Sequence, residues 1–290
     1  MLTDSIKQRA ELLRNEINLH NHKYYVLDDP AIDDGEYDSL MRELLRLEEK
    51  HPELRSIDSP TQRVGFPPAD GFFEVRHSLP MLSLSNAFNQ DELRSWHRRV
   101  SALLEGRDFN MVCELKIDGL AVALTYRNGH LDQGATRGDG YRGEDVTQNL
   151  RTIKTIPLGL LEECNETFEV RGEVYMPSAA FARLNHSRSE RGEPLYANPR
   201  NTAAGTIRQL DSRITASRHL EIFIYALGYV ESNKPIGTHW DTLQRLQGLG
   251  FRISPYNQIC TSLDQVEDYY QRWIENRNKL PFEADGVVVK

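Results

Sequence analysis

The sequence predicts an α+β protein, a small helical hairpin followed by a larger domain of mostly antiparallel sheets with helices. Three observations carry that expectation. Residues 4–50 hold two stretches with apolar residues at helical spacing, the chain from about residue 70 switches to short alternating or apolar runs, and glycine turns separate those runs. A chain of 290 residues has room for one large core with a small unit appended.

In the first stretch, Ile6, Ala10, Leu13, Ile17 and Tyr24 fall at steps of three, four and seven, which is one face of an amphipathic helix over 4–27. Asp28-Asp29-Pro30 breaks it. A second helix is expected to start at Asp33 or Asp34, where Asp33 and Glu36 form an N-terminal cap pattern. Tyr37, Leu40, Met41, Leu44 and Leu47 supply its apolar face, and Lys50, His51 and Pro52 end it. Residues 52–80, rich in proline and glycine, read as a linker. Strands are expected at 111–117, 120–126, 167–176, 221–230 and 284–290, with Asn128-Gly129 as a hairpin turn. Helices are expected near 90–105, 178–187, 239–249 and 263–277. The boundary falls between a head at 1–69 and a larger domain at 70–290. The chain stops inside the apolar run Val287-Val288-Val289-Lys290, so it is expected to be a piece of a longer protein.

An apolar fraction of 39% and a charged fraction of 27% are those of an ordinary globular protein. No apolar run is long enough to span a membrane and no signal-peptide core opens the chain. Cys113, Cys164 and Cys260 are odd in number and far apart, giving neither a disulfide framework nor a zinc spacing, so a cytoplasmic protein without zinc in this segment is expected. The net charge of −8 argues against a general nucleic-acid binder, yet residues 181–220 hold seven arginines against three acids. That stretch either meets phosphates or is a solvated face; charge alone leaves both open.

The residues that promise chemistry are Cys113-Glu114-Leu115-Lys116-Ile117-Asp118-Gly119. On a strand, Glu114, Lys116 and Asp118 share one face and Cys113, Leu115 and Ile117 the other. A half-buried strand with a solvated face has the same pattern. A lysine attacks through its neutral amine, and two neighbouring carboxylates favour the charged form. Catalysis here therefore needs extra positive charge, which a divalent metal with a phosphate substrate supplies. The lysine is expected at a sheet edge beside a nucleotide pocket.

Lys116-Ile117-Asp118-Gly119 resembles the lysine-x-aspartate-glycine signature of covalent nucleotidyltransferases. Four further segments extend the likeness in the same order: Ala135-Thr136-Arg137-Gly138-Asp139-Gly140 with Gly143-Glu144-Asp145; Glu169-Val170-Arg171-Gly172-Glu173-Val174; Ala197-Asn198-Pro199-Arg200-Asn201 through Arg208-Gln209-Leu210-Asp211; and Asp285-Gly286-Val287-Val288-Val289-Lys290. Tyr24-Tyr25 and Asp34-x-x-Tyr37-Asp38 resemble the head found in bacterial NAD⁺-dependent DNA ligases and absent from ATP-dependent ligases and capping enzymes. The resemblance to that family covers essentially the whole chain.

The resemblance implies that the core is an ATP-grasp-like nucleotidyltransferase fold. It implies that Lys116 is the nucleophile toward NAD⁺, with Asp118 and Lys290 as catalytic partners and Lys290 at the α-phosphate. By the same likeness Glu114 accepts from the adenine amino group, Tyr225 stacks on the base, and Ser83, Leu84 and Val288 line its pocket. Arg137 and Glu173 are implied to contact the ribose or phosphate. Tyr24, Tyr25, Asp34, Tyr37 and Asp38 are implied to grip NMN, and Arg200 and Arg208 to meet phosphates of NMN or DNA. Asp118, Asp285 and Glu173 become candidate Mg²⁺ ligands. On a regular strand Asp285 and Lys290 face opposite ways, so a bulge at Gly286 is required if both act. The partners implied are NAD⁺, NMN, AMP and nicked duplex DNA, with the protein a monomer. In the family the later sealing steps belong to an OB-fold, a zinc module, helix-hairpin-helix repeats and a BRCT domain. Two rival readings are an ATP- or GTP-using nucleotidyltransferase and a non-catalytic NAD⁺-binding or DNA-clamping module.

Overall fold

The computed structural model describes residues 4–27, 29, 31–56, 58–63, 71–232 and 237–290, and of Asp34 the backbone alone. Asp28 and Pro30 of the expected helix break, and the 69/70 boundary, lie outside the described residues.

The head is built from α1 (Asp4–Asn21) and α2 (Asp34–Lys50). Ala10, Leu13 and Ile17 of α1 meet Leu44 of α2 and Leu54, with Ile6, Tyr37, Leu40, Met41 and Leu47 packed around them. Each fully buried leucine or isoleucine here is worth roughly 1.5–3 kcal/mol. The Asp33 side chain accepts from the Glu36 N–H at 2.8 Å, the expected cap. The first helix is shorter than expected. It gives way at His22–Val26 to a π-helical turn, which takes Tyr24 off the apolar face and leaves it 49% exposed.

The larger part holds three sheets, and every strand pairing among the described residues is antiparallel. The strands are β1 (Glu74–Arg76), β2 (Met111–Ile117), β3 (Leu120–Arg127), β4 (His130–Thr136), β5 (Arg142–Glu144), β6 (Phe168–Tyr175), β7 (Glu221–Val230), β8 (Gln258–Cys260) and β9 (Ala284–Val289). They form β1-β5, β8-β2-β9 and β4-β3-β6-β7. Asn128 and Gly129 have φ of 50° and 77°, as a tight β3–β4 hairpin turn requires. The remaining helices are α3 (Gln90–Leu103), α4 (Thr147–Arg151), α5 (Ser178–Glu190), α6 (Pro199–Ile207), α7 (Ser212–Ala216), α8 (His239–Gly248) and α9 (Leu263–Asn276).

Two cores hold this part together. One face of β3 (Val122, Leu124, Tyr126) packs with Val170, Ile222, Leu150, Ile207 and Leu246. Cys113 and Leu115 of β2 join Val266 and Tyr269 of α9 with Tyr175, Phe223 and Phe282 in the second. β2 is the central strand of its sheet, but β8 pairs with Met111, Val112 and Cys113 alone, so at Lys116 the sheet continues on the β9 side only, in keeping with the expected edge position. The chain then crosses from one sheet to the next at Gly119, where a Cβ would stand 2.3 Å from the Val174 carbonyl oxygen. Only glycine permits that approach.

Within the expected linker, residues 58–63 fasten the head to the larger part. Buried Glu48 accepts from the Ser59 hydroxyl at 2.7 Å and from Thr61. Arg63 donates to the carbonyls of Arg151 at 3.0 Å, Ile153 at 3.1 Å and Ile156 at 3.1 Å. Burial pulls its pKa down to about 10, so it stays charged at neutral pH. Lys154 donates to the Tyr25 hydroxyl at 2.8 Å, and His130 lies 2.9 Å from Asp58. Arg63→Met keeps the length and removes the donors. We expect it to lower unfolding stability by about 3 kcal/mol and to expose the junction after residue 54 to protease. An unchanged urea midpoint would refute the anchoring role.

Candidate active site

A cavity of about 1710 Å³ opens between the sheets, walled by β2 and β9 on one side and by β3, β6 and β7 on the other. Lys116, Glu114, Glu173, Arg137, Tyr225, Ser83, Leu84, Arg200, Arg208, Asp285, Val288 and Lys290 all line it. Residues that span more than two hundred positions are thus brought to one place. Asp118 stands just behind, its carboxylate 3.5 Å from the Arg200 guanidinium.

The pairing of β2 with β9 sets the floor. Glu114 lies opposite Val288 and Lys116 opposite Gly286, after which the register jumps so that Ile117 faces Ala284. The extra residue is Asp285. The bulge therefore sits at Asp285, one position before the expected one, and it turns the carboxylate onto Lys116. Lys116 Nζ donates to both oxygens, at 2.8 and 2.9 Å, with its side chain half exposed.

Glu114 is only 4% exposed. Its Oε1 lies 2.5 Å from His239 Nε2 and 3.0 Å from Lys290 Nζ. Lys290 Nζ also donates to the Tyr225 carbonyl at 2.9 Å and sits 5.2 Å from the centre of that ring. The Lys290 ammonium thus lies in the Glu114–Tyr225 corner, and Asp285 is the group beside Lys116. Tyr225 is half buried, and burial, then the charge of Glu173, pushes its phenol up. It is a pocket wall and not a core residue.

Segment 79–84 is held in place by Arg171, which donates to the carbonyls of Leu79 at 2.6 Å and Pro80 at 3.0 Å, while the Met81 N–H reaches the Gly140 carbonyl at 2.8 Å. That anchor presents Ser83 and Leu84 to the cavity. Arg200 rides on the first turn of α6, started by Asn198, whose side chain accepts from the Asn201 N–H at 2.8 Å, and by Pro199. Arg208 ends the same helix and pairs with Glu144 at 2.7 Å. The other arginines of 181–220 divide otherwise. Arg188 and Arg191 pair with Glu193, Arg213 with Asp211, and Arg188 and Arg218 flank the Tyr196 ring.

Nearly every charge at the cavity has an opposite partner. Glu173 is the group on which burial acts: desolvation pushes its carboxyl up to about 7, with Lys116, Arg200 and Arg137 opposing and Asp118 adding to the rise.

The head candidates are elsewhere. No described residue before Met81 lines the cavity. Tyr24 and Tyr25 meet edge to face at 4.7 Å, Tyr25 is held by Lys154, and Asp38 is exposed. Tyr37 packs against the head core and its hydroxyl donates to Asn21 at 2.8 Å, so it has a structural task as well. The Asp34 side chain lies outside the described residues. Sequence reasoning missed His239 altogether. It opens a helix after a threonine cap, a position that signals a helix start and nothing more.

Among the described residues no three His, Cys, Asp or Glu side chains are arranged as a metal cluster, and no helix is long and apolar enough to cross a membrane.

Residues 69–290 match the family model for the NAD-dependent DNA ligase adenylation domain, and residues 3–65 that for the DNA ligase-like N-terminal NAD⁺-binding domain. A DNA ligase of Dehalococcoides mccartyi is 54% identical over 286 residues, 99% of this chain and 42% of the relative. One of Desulforamulus reducens is 55% identical over 289 residues, 100% of this chain and 43% of the relative. A third, of Pseudothermotoga lettingae, is 50% identical over 291 residues, 100% of this chain and 42% of the relative. The chain therefore spans less than half the length of the relatives it matches. A match that runs through the cavity walls from end to end leaves one conclusion: the chain belongs to the NAD-dependent DNA ligase adenylation-domain family.

Proposed function

We propose that Lys116 takes AMP from NAD⁺ in this cavity, as the first step of sealing nicks in duplex DNA during replication and repair, by a monomer in the cytoplasm. One observation carries the reading: a half-exposed lysine on the floor of a large cavity that also gathers the Tyr225 ring, the acids Glu114, Glu173 and Asp285, and the arginines Arg137, Arg200 and Arg208. In the proposed step the Lys116 amine bonds to the adenylyl phosphorus, the bond from that phosphorus to the NMN phosphate oxygen breaks, and NMN leaves. A lysyl-AMP phosphoramidate remains. The amine must shed protons, and Asp285, already bonded to Nζ through both oxygens, is the acceptor in position. Tyr225 stacks on adenine, Glu114 accepts a hydrogen bond from its amino group, and Ser83, Leu84 and Val288 close the base pocket. Arg137 and Glu173 hold the ribose end, and Arg200 and Arg208, as planar forks, suit phosphate. These roles rest on the family likeness and on the cavity that gathers the side chains.

Asp118, Glu173 and Asp285 offer hard oxygen donors of the kind Mg²⁺ takes one or two at a time, its shell completed by water and phosphate. The raised carboxyl of Glu173, and its mutual influence with Asp118, fit a place where a cation favours ionisation. Bound there, the metal would neutralise charge on the phosphoryl oxygens.

The two-sheet core with its helices supports the ATP-grasp-like ligase reading, and residues 1–69 are proposed as an NMN-gripping head on a 70–290 adenylation domain. With Tyr24, Tyr25, Tyr37 and Asp38 outside the cavity, the head must move over the dinucleotide to close on it, and Asp34 is proposed to join that grip. Transfer of AMP to a nick and its sealing are proposed for the longer protein.

Three outcomes test this. The chain incubated with NAD⁺ and Mg²⁺ gains one AMP by intact mass, ATP does not substitute, added NMN removes the adduct, and Lys116→Ala gains none; uptake by that variant would remove the nucleophile. The 290-residue chain seals a nicked duplex poorly or not at all, and sealing at a full-length ligase's rate would overturn that limit. In metal-free buffer, the folded carboxyl of Glu173 titrates near 7, above its ordinary value. Its stabilising contribution is complete below about pH 4.5 and is lost as pH rises through 7. Glu173→Gln should flatten that fall by on the order of 2–3 kcal/mol in urea titrations, and an identical slope in both proteins would contradict the burial.

A further inference from the structure

His239 is a polar neighbour of the Glu114 corner that no step above uses. It reaches Glu114 from a separate element, and its placement is rigid. Thr238 and Asp241 cap α8 reciprocally, the Thr238 N–H reaching the Asp241 carboxylate at 2.9 Å and the Asp241 N–H the Thr238 hydroxyl at 3.1 Å. Leu243 and Leu246, buried on the same helix, hold it down. The first helical residue after the cap is His239, so its ring is aimed by the helix start.

The contacts at Glu114 are unequal. Lys290 Nζ touches both oxygens, at 3.0 Å to Oε1 and 3.2 Å to Oε2. That pair alone leaves the carboxylate plane free to turn about the last side-chain bond. His239 Nε2 touches Oε1, at 2.5 Å. Nε2 also lies 3.4 Å from Lys290 Nζ; in the tautomer that carries its proton on Nε2 and donates to Glu114, Oε1 has two donors at close range and Oε2 one longer one. A carboxylate has about four lone-pair sites, so Oε2 keeps acceptor capacity for an incoming N–H. The side chains of His239 and Lys290 are 24% and 22% exposed against 6% for Glu114, so the two donors stand between the acid and solvent.

We infer that His239 is a positioning residue: it holds the plane of the Glu114 carboxylate so that one of its two equivalent oxygens keeps acceptor capacity toward the nucleotide, and so sets the preference for a 6-amino purine over a 6-oxo purine. The inference rests on the proposed adenylation of Lys116 and on Glu114 as the acceptor from the base. A 6-amino group donates to Oε2. A 6-oxo group presents an acceptor to an acceptor and is refused. A Glu114 that rotates freely, or turns toward Lys290 alone, presents a less defined surface to either base.

The test compares AMP transfer from NAD⁺ with IMP transfer from its hypoxanthine analogue, scored as kcat/KM for loading Lys116 by intact mass. His239→Leu removes the donor. His239→Gln carries an amide N–H that reaches the place of Nε2. Wild type should prefer NAD⁺. H239L should lose about tenfold of that preference, mainly through KM for NAD⁺, and H239Q should recover most of it. Thermal midpoints of all three are measured beside the kinetics, so that a packing defect is seen separately. A lower midpoint in H239L with an unchanged ratio makes His239 merely structural and overturns the inference. Equal loss of preference in H239L and H239Q overturns it too, because the donor then does not matter. If H239L does not fold, H239Q and His239→Asn decide: the inference requires H239Q to stay closer to wild type than H239N, whose amide is too short. Wild-type protein that loads from neither dinucleotide would instead sink the reading of Lys116 itself, a result distinct from all of these.

Discussion

The antiparallel pairing of β2 with β9 bears the whole cavity. Those strands lie some 170 positions apart in the chain, and their register decides which side chains face each other across the floor. One extra residue in β9 puts Asp285 on Lys116, while the undisturbed pairs beyond it put Lys290 on Glu114. A slip of one position would turn the alternate residues of β9 to the opposite face. The apolar backing of β2, with Cys113 and Leu115 against α9 and the Tyr175–Phe223–Phe282 ring cluster, is what makes such a slip expensive. The chemistry of the floor is thus specified by burial on its reverse side.

The charges around that floor are arranged as partners: Lys116 with Asp285, Glu114 with Lys290, Asp118 with Arg200, Arg208 with Glu144. Isolated charges in a half-closed space are costly, and pairing lowers the cost. It also means that a phosphate-bearing molecule that reaches Lys116, Lys290, Arg200 or Arg208 exchanges one ion pair for another. Arg200 and Arg208 are well exposed and can turn to a new partner with little loss. Glu114 is not, and its partners come from two different elements.

Much of this was legible in the chain. Helical spacing located α1, α2, α3, α8 and α9 within a few residues, since each has a long periodic face; α5, whose apolar face is weak, was located as well. Alternation located β2, β3, β6, β7 and β9, and Asn128-Gly129 located a turn. The short elements β1, β5, β8, α4 and α7 were not legible, because three to five residues carry no period. The lining from β2, β6, α6 and β9 came from motifs, while that from α3 and α9 did not; nor did spacing show that Glu114 would be buried and tied to Lys290, because β2 looks like a strand with one wet face. His239 was illegible for a plainer reason. A histidine after a threonine cap says that a helix begins, and the distance to Glu114, 125 positions back, exists only once the sheets are assembled.

The docking of the head has a consequence for how tightly a dinucleotide can be held. Lys154 occupies the Tyr25 hydroxyl, and Arg63 and Asp58 tie the neighbouring segment to the far side of the larger part. If Tyr25 is also to grip NMN, docked and gripping heads exclude one another at that side chain. The apparent dissociation constant is then the intrinsic one divided by the fraction of molecules whose head is free. Loosening the dock would tighten capture without altering a single contact to the dinucleotide, and strengthening it would weaken capture from a distance.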